Sequence, residues 1–230
     1  MSGKVVDYLF DEITGSHVAV PMWPNGRLET LLMVLERKSA LEMADVLCRL
    51  GRSHPDDIIR GALRVLFVSP LGQIKVLDPE LKSFVNINSQ EDLSRLQPRQ
   101  AMGSLVGNLR LNLGSPPMDK LPYLLSASQQ RNEANFSKAT ELFSNCASDL
   151  EDDKSFFWAA ISRENEAKSK LNVVQEKSGL FKEAKRAFLA AAKNYGFEAE
   201  IYEKNKCYLL AERAKSDKLW CENQARSLVS

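Results

Sequence analysis

Two histidines, four cysteines and one acidic run are the residues most readily put to chemical use in this 230-residue chain. His17 and His54 each stand beside a turn, with no cluster of further ligands around them, whereas a metal site needs several donors at set spacing. His54 precedes Pro55 and Asp56 at a helix start, where a capping role fits. Cys48, Cys146, Cys207 and Cys221 lie far apart and form no C-x-x-C pair. That spacing reads as buried free thiols in a reducing compartment, against a disulfide scaffold or a zinc ribbon. The run DLEDDK at 149–154 has consecutive acids but neither the glycine turn nor the terminal glutamate of a calcium loop. Its charge complements the positive end of a helix beginning near Ser155. Glu164 and Glu166 fall on different sides of their helix and make no catalytic pair. No G-x-x-x-x-G-K-[ST], G-x-G-x-x-G or G-x-S-x-G occurs, so no row of backbone N–H groups is spelled out for a phosphate. The expectation is a protein without catalytic, metal or cofactor-binding residues, hence no cofactor.

Residues that could meet a partner are easier to find. Between 168 and 193 stand Lys168, Lys170, Lys177, Lys182, Lys185, Arg186 and Lys193, against Glu176 and Glu183. On a helix over 181–195, Lys182, Lys185, Arg186 and Lys193 lie opposite Phe181 and Phe188. Such a stripe is either a solvated outer face or a surface for acidic protein segments, RNA or anionic lipid. It carries no aromatic for base stacking, which favours an acidic protein surface or a phosphate backbone over sequence reading. The triplet FFW at 156–158 cannot send all three rings one way, because successive helical residues turn by about 100°. An exposed Trp158 would be an interface anchor, and Trp220 raises the same question.

Composition sets the frame for these residues. Hydrophobic residues make up 44% of the chain, enough for an ordinary core. Basic and acidic residues number 31 and 30, which argues against an affinity built on a large phosphate footprint. The amino terminus lacks the basic start and apolar run of a signal peptide, and no stretch approaches the roughly 20 apolar residues of a membrane-spanning helix. The expected location is intracellular: cytoplasm, nucleus or virion interior.

The elements that must position these groups are mostly helices. VVDYLF and HVAVPMW read as extended, and WPNG at 23–26 as a turn. From Leu28 to Gly51 the apolar spacing gives one or two amphipathic helices, with Ser39 a break or cap and Gly51 a stop. Ser53 caps the next helix and Pro55 occupies its first turn; that helix runs to about Leu66, ahead of a short hairpin at SPLG. From 78 to 122 prolines and glycines leave room only for short pieces. SQED at 89–92 starts one, and AMGSLVGNLRLNL is a helix or a strand. Beyond 123 there is no proline and there are two glycines, the composition of a helical array. The fold class is therefore mainly α. An N-terminal helical domain with a small β element spans 1–113, a connector 114–122, and a C-terminal antiparallel bundle or helical array 123–230.

Within that array ANFSKATELFSNCASDL at 134–150 and GLFKEAKRAFLAAAKNYG at 179–196 align at an offset of 45. The alignment places Phe136 on Phe181, Ala139 on Ala184, Phe143 on Phe188, Ala147 on Ala192 and Leu150 on Tyr195. Each set advances by three or four and lines one helix face. This Ala/Phe rhythm over 134–220 resembles tetratricopeptide and SNAP-type helical repeats, although the first-helix Trp, Leu-Gly and Tyr series is absent and the period exceeds 34. The resemblance implies stacked helical hairpins that act by holding another protein. Separately, PDDIIRGALRVLFVSP at 55–70 resembles the buried helix of influenza-type matrix proteins, through Arg60, Gly61, Ala62, Leu63, Phe67 and Pro70. That resemblance implies a self-associating layer in contact with ribonucleoprotein or membrane. The expected function is a non-enzymatic scaffold, adaptor or assembly protein whose partner is another protein or a second copy, with no small-molecule substrate. A viral matrix-like structural protein is the alternative, and an enzyme with an unrecognised site the third reading.

Overall fold

The computed structural model describes residues 2–84, 107–114, 116–173 and 179–228. They form a mainly α protein with a small four-stranded sheet, the class that the composition implies. Two compact units interleave along the chain, Met1–Arg37 with Arg64–Asn112 and Lys38–Leu63 with Leu113–Ser230.

The first unit holds the sheet. Strands β1 (Val18–Pro21), β2 (Val34–Leu35), β3 (Arg64–Val68) and β4 (Leu109–Asn112) lie in the order β2-β1-β3-β4. β1 and β3 run parallel from Val18 opposite Val65 to Pro21 opposite Val68, while both outer pairs are antiparallel. Every residue of β1 is buried, as the central strands of a covered sheet should be. VVDYLF is not extended: it forms helix α1 (Gly3–Glu12), which buries Val5 and Leu9, four residues apart, in the core with Ala19, Leu66 and Val68. The i, i+4 pair outweighs the β-propensity of the two valines. The WPNG turn forms, with the Gly26 N–H donating to the Trp23 carbonyl at 2.8 Å and Gly26 at φ +80°. SPLG makes no hairpin. Ser69 instead caps a π turn at Pro70–Ile74, its hydroxyl accepting from the Leu71 N–H at 3.3 Å. SQED at 89–92 lies outside the described residues, and the LRLN part of the ambiguous segment is strand β4.

The second unit contains helices α2 (Arg37–Arg49, entered at its first residue), α3 (Pro55–Ala62), α4 (Leu121–Asn132), α5 (Phe136–Asp152), α6 (Phe156–Val173), α7 (Gly179–Lys204) and α8 (Tyr208–Ser227). From α4 onward each helix packs on the next, and α3 packs on α6. The segment 28–51 yields one helix, because Val34–Leu35 pair with β1, and Ser39 is buried inside α2 instead of breaking it. α3 is capped by His54, whose N–H donates to Asp57 Oδ2 at 3.3 Å, and it stops at Ala62 with Leu63 at φ 56°. The expected extension to Leu66 fails because Val65–Val68 take the parallel ladder with β1. The two matching stripes enter the core at Ala139, Phe143, Ala147 and Leu150, and at Ala184, Phe188, Ala192 and Tyr195. Phe136 is half-buried and Phe181 exposed, so the stripes hold at their centres and fray at their starts. Among the described residues no helix is long and apolar enough to cross a membrane.

One backbone device closes α2, α4, α5 and α7. The N–H three positions past each helix reaches back to a carbonyl five residues earlier: Arg52 to Leu47, Asn135 to Gln130, Ser155 to Leu150 and Cys207 to Tyr202, at 2.8–2.9 Å. This bond requires the intervening residue to adopt positive φ. Gly51 supplies it at the first site, but Ala134, Lys154 and Lys206 supply it at φ 57–60° elsewhere. A side chain there costs about 1–2 kcal/mol, partly offset by the unfolded-state entropy of glycine. Ala134→Gly, Lys154→Gly and Lys206→Gly should therefore each stabilise the helical unit by about 0.5–1 kcal/mol, as an upward shift of the urea midpoint.

Candidate functional site

The helical unit buries an unusual amount of charge. Arg60 is fully buried on α3. Its Nε and Nη2 donate to Glu198 Oε1 and Oε2, each at 2.7 Å, and its Nη1 to Asp217 Oδ2 at 2.7 Å. The guanidinium also lies 4.5 Å from the ring centre of Phe157. Arg52, just past α2, extends the network: Nη1 donates to Asp217 at 3.1 Å and Nη2 to Glu164 at 2.6 Å and to the Tyr195 hydroxyl. That hydroxyl donates to Glu164 Oε2 at 3.1 Å, and Lys168 Nζ donates to Glu164 Oε1 at 2.6 Å. Fork-to-fork pairing satisfies both partners and makes so much buried charge tolerable.

The titration of these groups follows from the geometry. Burial raises Tyr195 well above its ordinary value, and the Glu164 carboxylate adds to the shift, so the phenol keeps the proton it donates. Burial also raises Glu198, against the pull of Arg60. Asp217 moves the other way: Arg60 and Arg52 outweigh its burial and hold it below the usual carboxylate value. All three are thus committed to internal bonds near neutral pH.

Where the network reaches the surface it borders a cleft of about 280 Å³, whose walls include Arg52, His54, Asp57, Glu164, Arg213, Asp217 and Trp220. Arg213, Asp217 and Trp220 follow one another at i, i+4 and i+7 along one face of α8. Arg213 differs from Arg52 on the same cleft: its Nε is buried and has no hydrogen-bond partner among the described residues. A guanidinium beside a cleft can receive a phosphate or carboxylate, and Trp220, 40% exposed, can receive a planar ring. Among the described residues no three His, Cys, Asp or Glu side chains stand close enough to hold a metal ion.

A second network borders a groove of about 380 Å³ lined by α6 and α7 residues. Arg163 bridges Glu151 and Glu166, Lys170 bridges Glu166 and Glu183, and Asn194 donates to Glu151 at 2.9 Å. Glu164 and Glu166 thus belong to separate networks, as their spacing requires. Arg163 and Asn194 outweigh the burial of Glu151 and hold its carboxyl below the ordinary 4.5. The sign follows: the unfolded chain takes up this proton first as pH falls, so the stability Glu151 contributes is whole above pH 4.5 and is lost on passing through its lower folded value. Glu151→Gln should flatten the dependence of the urea midpoint on pH below pH 4.5.

The structure treats the expected partner residues unequally. Lys182, Arg186 and Lys193 are exposed on α7 and Lys185 is half-buried; Arg186 lines the second groove, and Lys193 Nζ lies 5.5 Å from the Phe197 ring. Trp158 is a correction. It is fully buried, with its indole N–H donating to the Gly61 carbonyl at 2.9 Å, so it is a core residue and presents no ring to a partner. Sequence reasoning missed Arg52, Arg60, Glu198, Arg213 and Asp217. The signals were lone charges inside apolar runs, Arg60 in IIRGA and Glu198 in GFEAEIY, and the Arg-Asp-Trp spacing on α8.

No family model and no solved structure matches the chain. It is 30% identical over 112 residues to a probable molybdenum cofactor guanylyltransferase of Methanosarcina acetivorans, covering 48% of this chain and 47% of that protein. It is 33% identical over 93 residues to the protein of the same name from Methanosarcina mazei, covering 40% and 41%. The chain spans less than half the length of either relative. Similarity to proteins named as transferases overturns the non-enzymatic reading, both as scaffold or adaptor and as matrix-like layer. It equally overturns the expectation that no small-molecule substrate is involved.

Proposed function

We propose that this chain is a nucleotidyltransferase that moves a guanylyl group onto the molybdenum cofactor. The observation that carries the reading is its identity to two proteins bearing that name, 30% over 112 residues and 33% over 93. In such a transfer an anionic acceptor oxygen forms a new bond to the α-phosphorus of a guanosine triphosphate. The bond from that phosphorus to the bridging oxygen of the β-phosphate breaks, and pyrophosphate leaves with the electron pair. Catalysis of this kind is chiefly positioning and charge stabilisation, so its first need is cations aimed at phosphate oxygens. The sequence spells no glycine-rich loop for that task, and guanidinium groups at a cleft are the alternative donors. Arg213 is so placed. We also place the protein inside the cell, where reducing conditions suit its four free cysteines; burial pushes Cys146 and Cys207 up to about 12.

The test is direct. The purified chain, given GTP, magnesium and molybdenum cofactor, should release pyrophosphate and form a cofactor heavier by one guanylyl group in the mass spectrum. Neither product, under conditions where the Methanosarcina acetivorans relative makes both, overturns the assignment.

A further inference from the structure

We infer that the cleft beside Arg213 is a mononucleotide site, in which Arg213 holds a phosphate and Trp220 supports the planar base. The inference rests on the guanylyl-transfer reading only for the choice of guanine. Three observations carry it. The first is a mismatch of donors and acceptors. Arg52 is satisfied by Glu164 and Asp217, and Lys168 by Glu164, at 2.6–3.1 Å. Arg213 makes no ion pair and no hydrogen bond among the described residues, and its Nε is shielded from solvent. Only the Nε is shielded, so the outer Nη groups are the ones that can take a phosphate oxygen at the cleft, in the forked geometry a guanidinium prefers.

The second observation is that the cleft's acids pair with other cations and leave Arg213 aside. Asp57 accepts from the His54 N–H and pairs with Arg60, Glu164 pairs with Arg52 and Lys168, and Asp217 with Arg52 and Arg60. Each of these three carboxylates thus has a cation other than Arg213 in contact, and none of them is paired with Arg213.

The third is the ring. Trp23 and Trp158 are 6% and 0% exposed, whereas Trp220 is 40% exposed and stands two helical turns along the same face as Arg213. The Lys168 ammonium lies 5.1 Å from its ring centre, adding positive charge beside the stacking surface. A cleft of about 280 Å³ is near the small end of ligand pockets, which suits a mononucleotide better than a dinucleotide.

Trp220 is the tryptophan that lines the cleft, so a ligand-dependent change in tryptophan fluorescence should come chiefly from it, over a constant signal from the buried Trp23 and Trp158. Titration with GMP or with pyrophosphate should give a saturable change in the wild-type chain, and Trp220→Phe should abolish it. Arg213→Gln should weaken both ligands ~10-fold or more while leaving the melting temperature unchanged, since Arg213 has no bond to lose among the described residues. Arg213→Lys should recover part of the affinity. No saturable change at millimolar ligand, or equal affinity in wild type and Arg213→Gln, overturns the site. The two proposals fail separately. Equal guanylyl-transfer rates in wild type and Arg213→Gln sink the cleft and leave the transferase reading. GMP binding that depends on Arg213, without transfer, does the reverse.

Discussion

Arg60→Ala is expected to cost the helical unit about 3–5 kcal/mol, among the largest losses any single substitution should cause here. Arg60 is fully buried and makes three charge-assisted bonds, two to Glu198 and one to Asp217, each at 2.7 Å. Truncation removes those bonds and the stack on Phe157, but its main effect lies in what stays behind. Glu198 is 3% exposed and would have no cation in contact, so it must either take up a proton or remain charged in a medium that cannot solvate it. Urea denaturation followed by helical circular dichroism measures the loss. A change under about 1 kcal/mol would mean that water reaches the guanidinium, contrary to the structure. Arg60→Met combined with Glu198→Leu separates the cost of orphaning a charge from the worth of the pair. Replacing both partners with apolar groups should recover most of the loss, because buried pairs contribute little net stability over well-packed hydrophobes. Asp217 keeps its bond to Arg52 in that variant, at 3.1 Å.

The same network explains why the fold was more legible than the site. Phe143, Phe188 and the alanines beside them repeat at three and four residues, and local periodicity is enough to place α5 and α7. The turn at WPNG needs only four residues and appears as written. Elements fixed by tertiary pairing were misread. α3 stops at Ala62 because β1 recruits the following residues, and β2 interrupts an otherwise helical pattern for the same reason. The cleft is the extreme case. Arg52 meets Glu164 across 112 residues of sequence and Asp217 across 165, separations at which no motif or period survives. What the sequence did carry was chemical discord: an arginine between Ile59 and Gly61, and a glutamate between Phe197 and Ala199. A charge inside an apolar run implies a partner elsewhere in the fold, and such residues rank above exposed lysine stripes as pointers to a site.

Trp158→Ala should cost about 3–5 kcal/mol, the range for emptying a large buried aromatic site. The alternative role for this residue, an exposed anchor for a partner, predicts a change within about 0.5 kcal/mol, so the two are cleanly separated by one melt. Its environment makes a second, more discriminating prediction. The indole N–H donates to the carbonyl of Gly61, and a Cβ placed on Gly61 would sit 2.9 Å from Trp158 Cζ2 and 3.3 Å from Cε2. That ring is buried on every side and tethered by its own hydrogen bond, so it has little freedom to give way. Gly61→Ala should therefore cost about 1–3 kcal/mol through overpacking, although alanine is ordinarily the better helix former by nearly 1 kcal/mol. The cost should depend on the ring. In Trp158→Phe the smaller side chain vacates space near Gly61, and adding Gly61→Ala to that background should cost far less than in the wild type, a positive coupling read from a double-mutant cycle. Strict additivity would show that α3 and α6 do not meet at this point, and with it would go the packing that aligns Arg60 with Glu198 and Asp217.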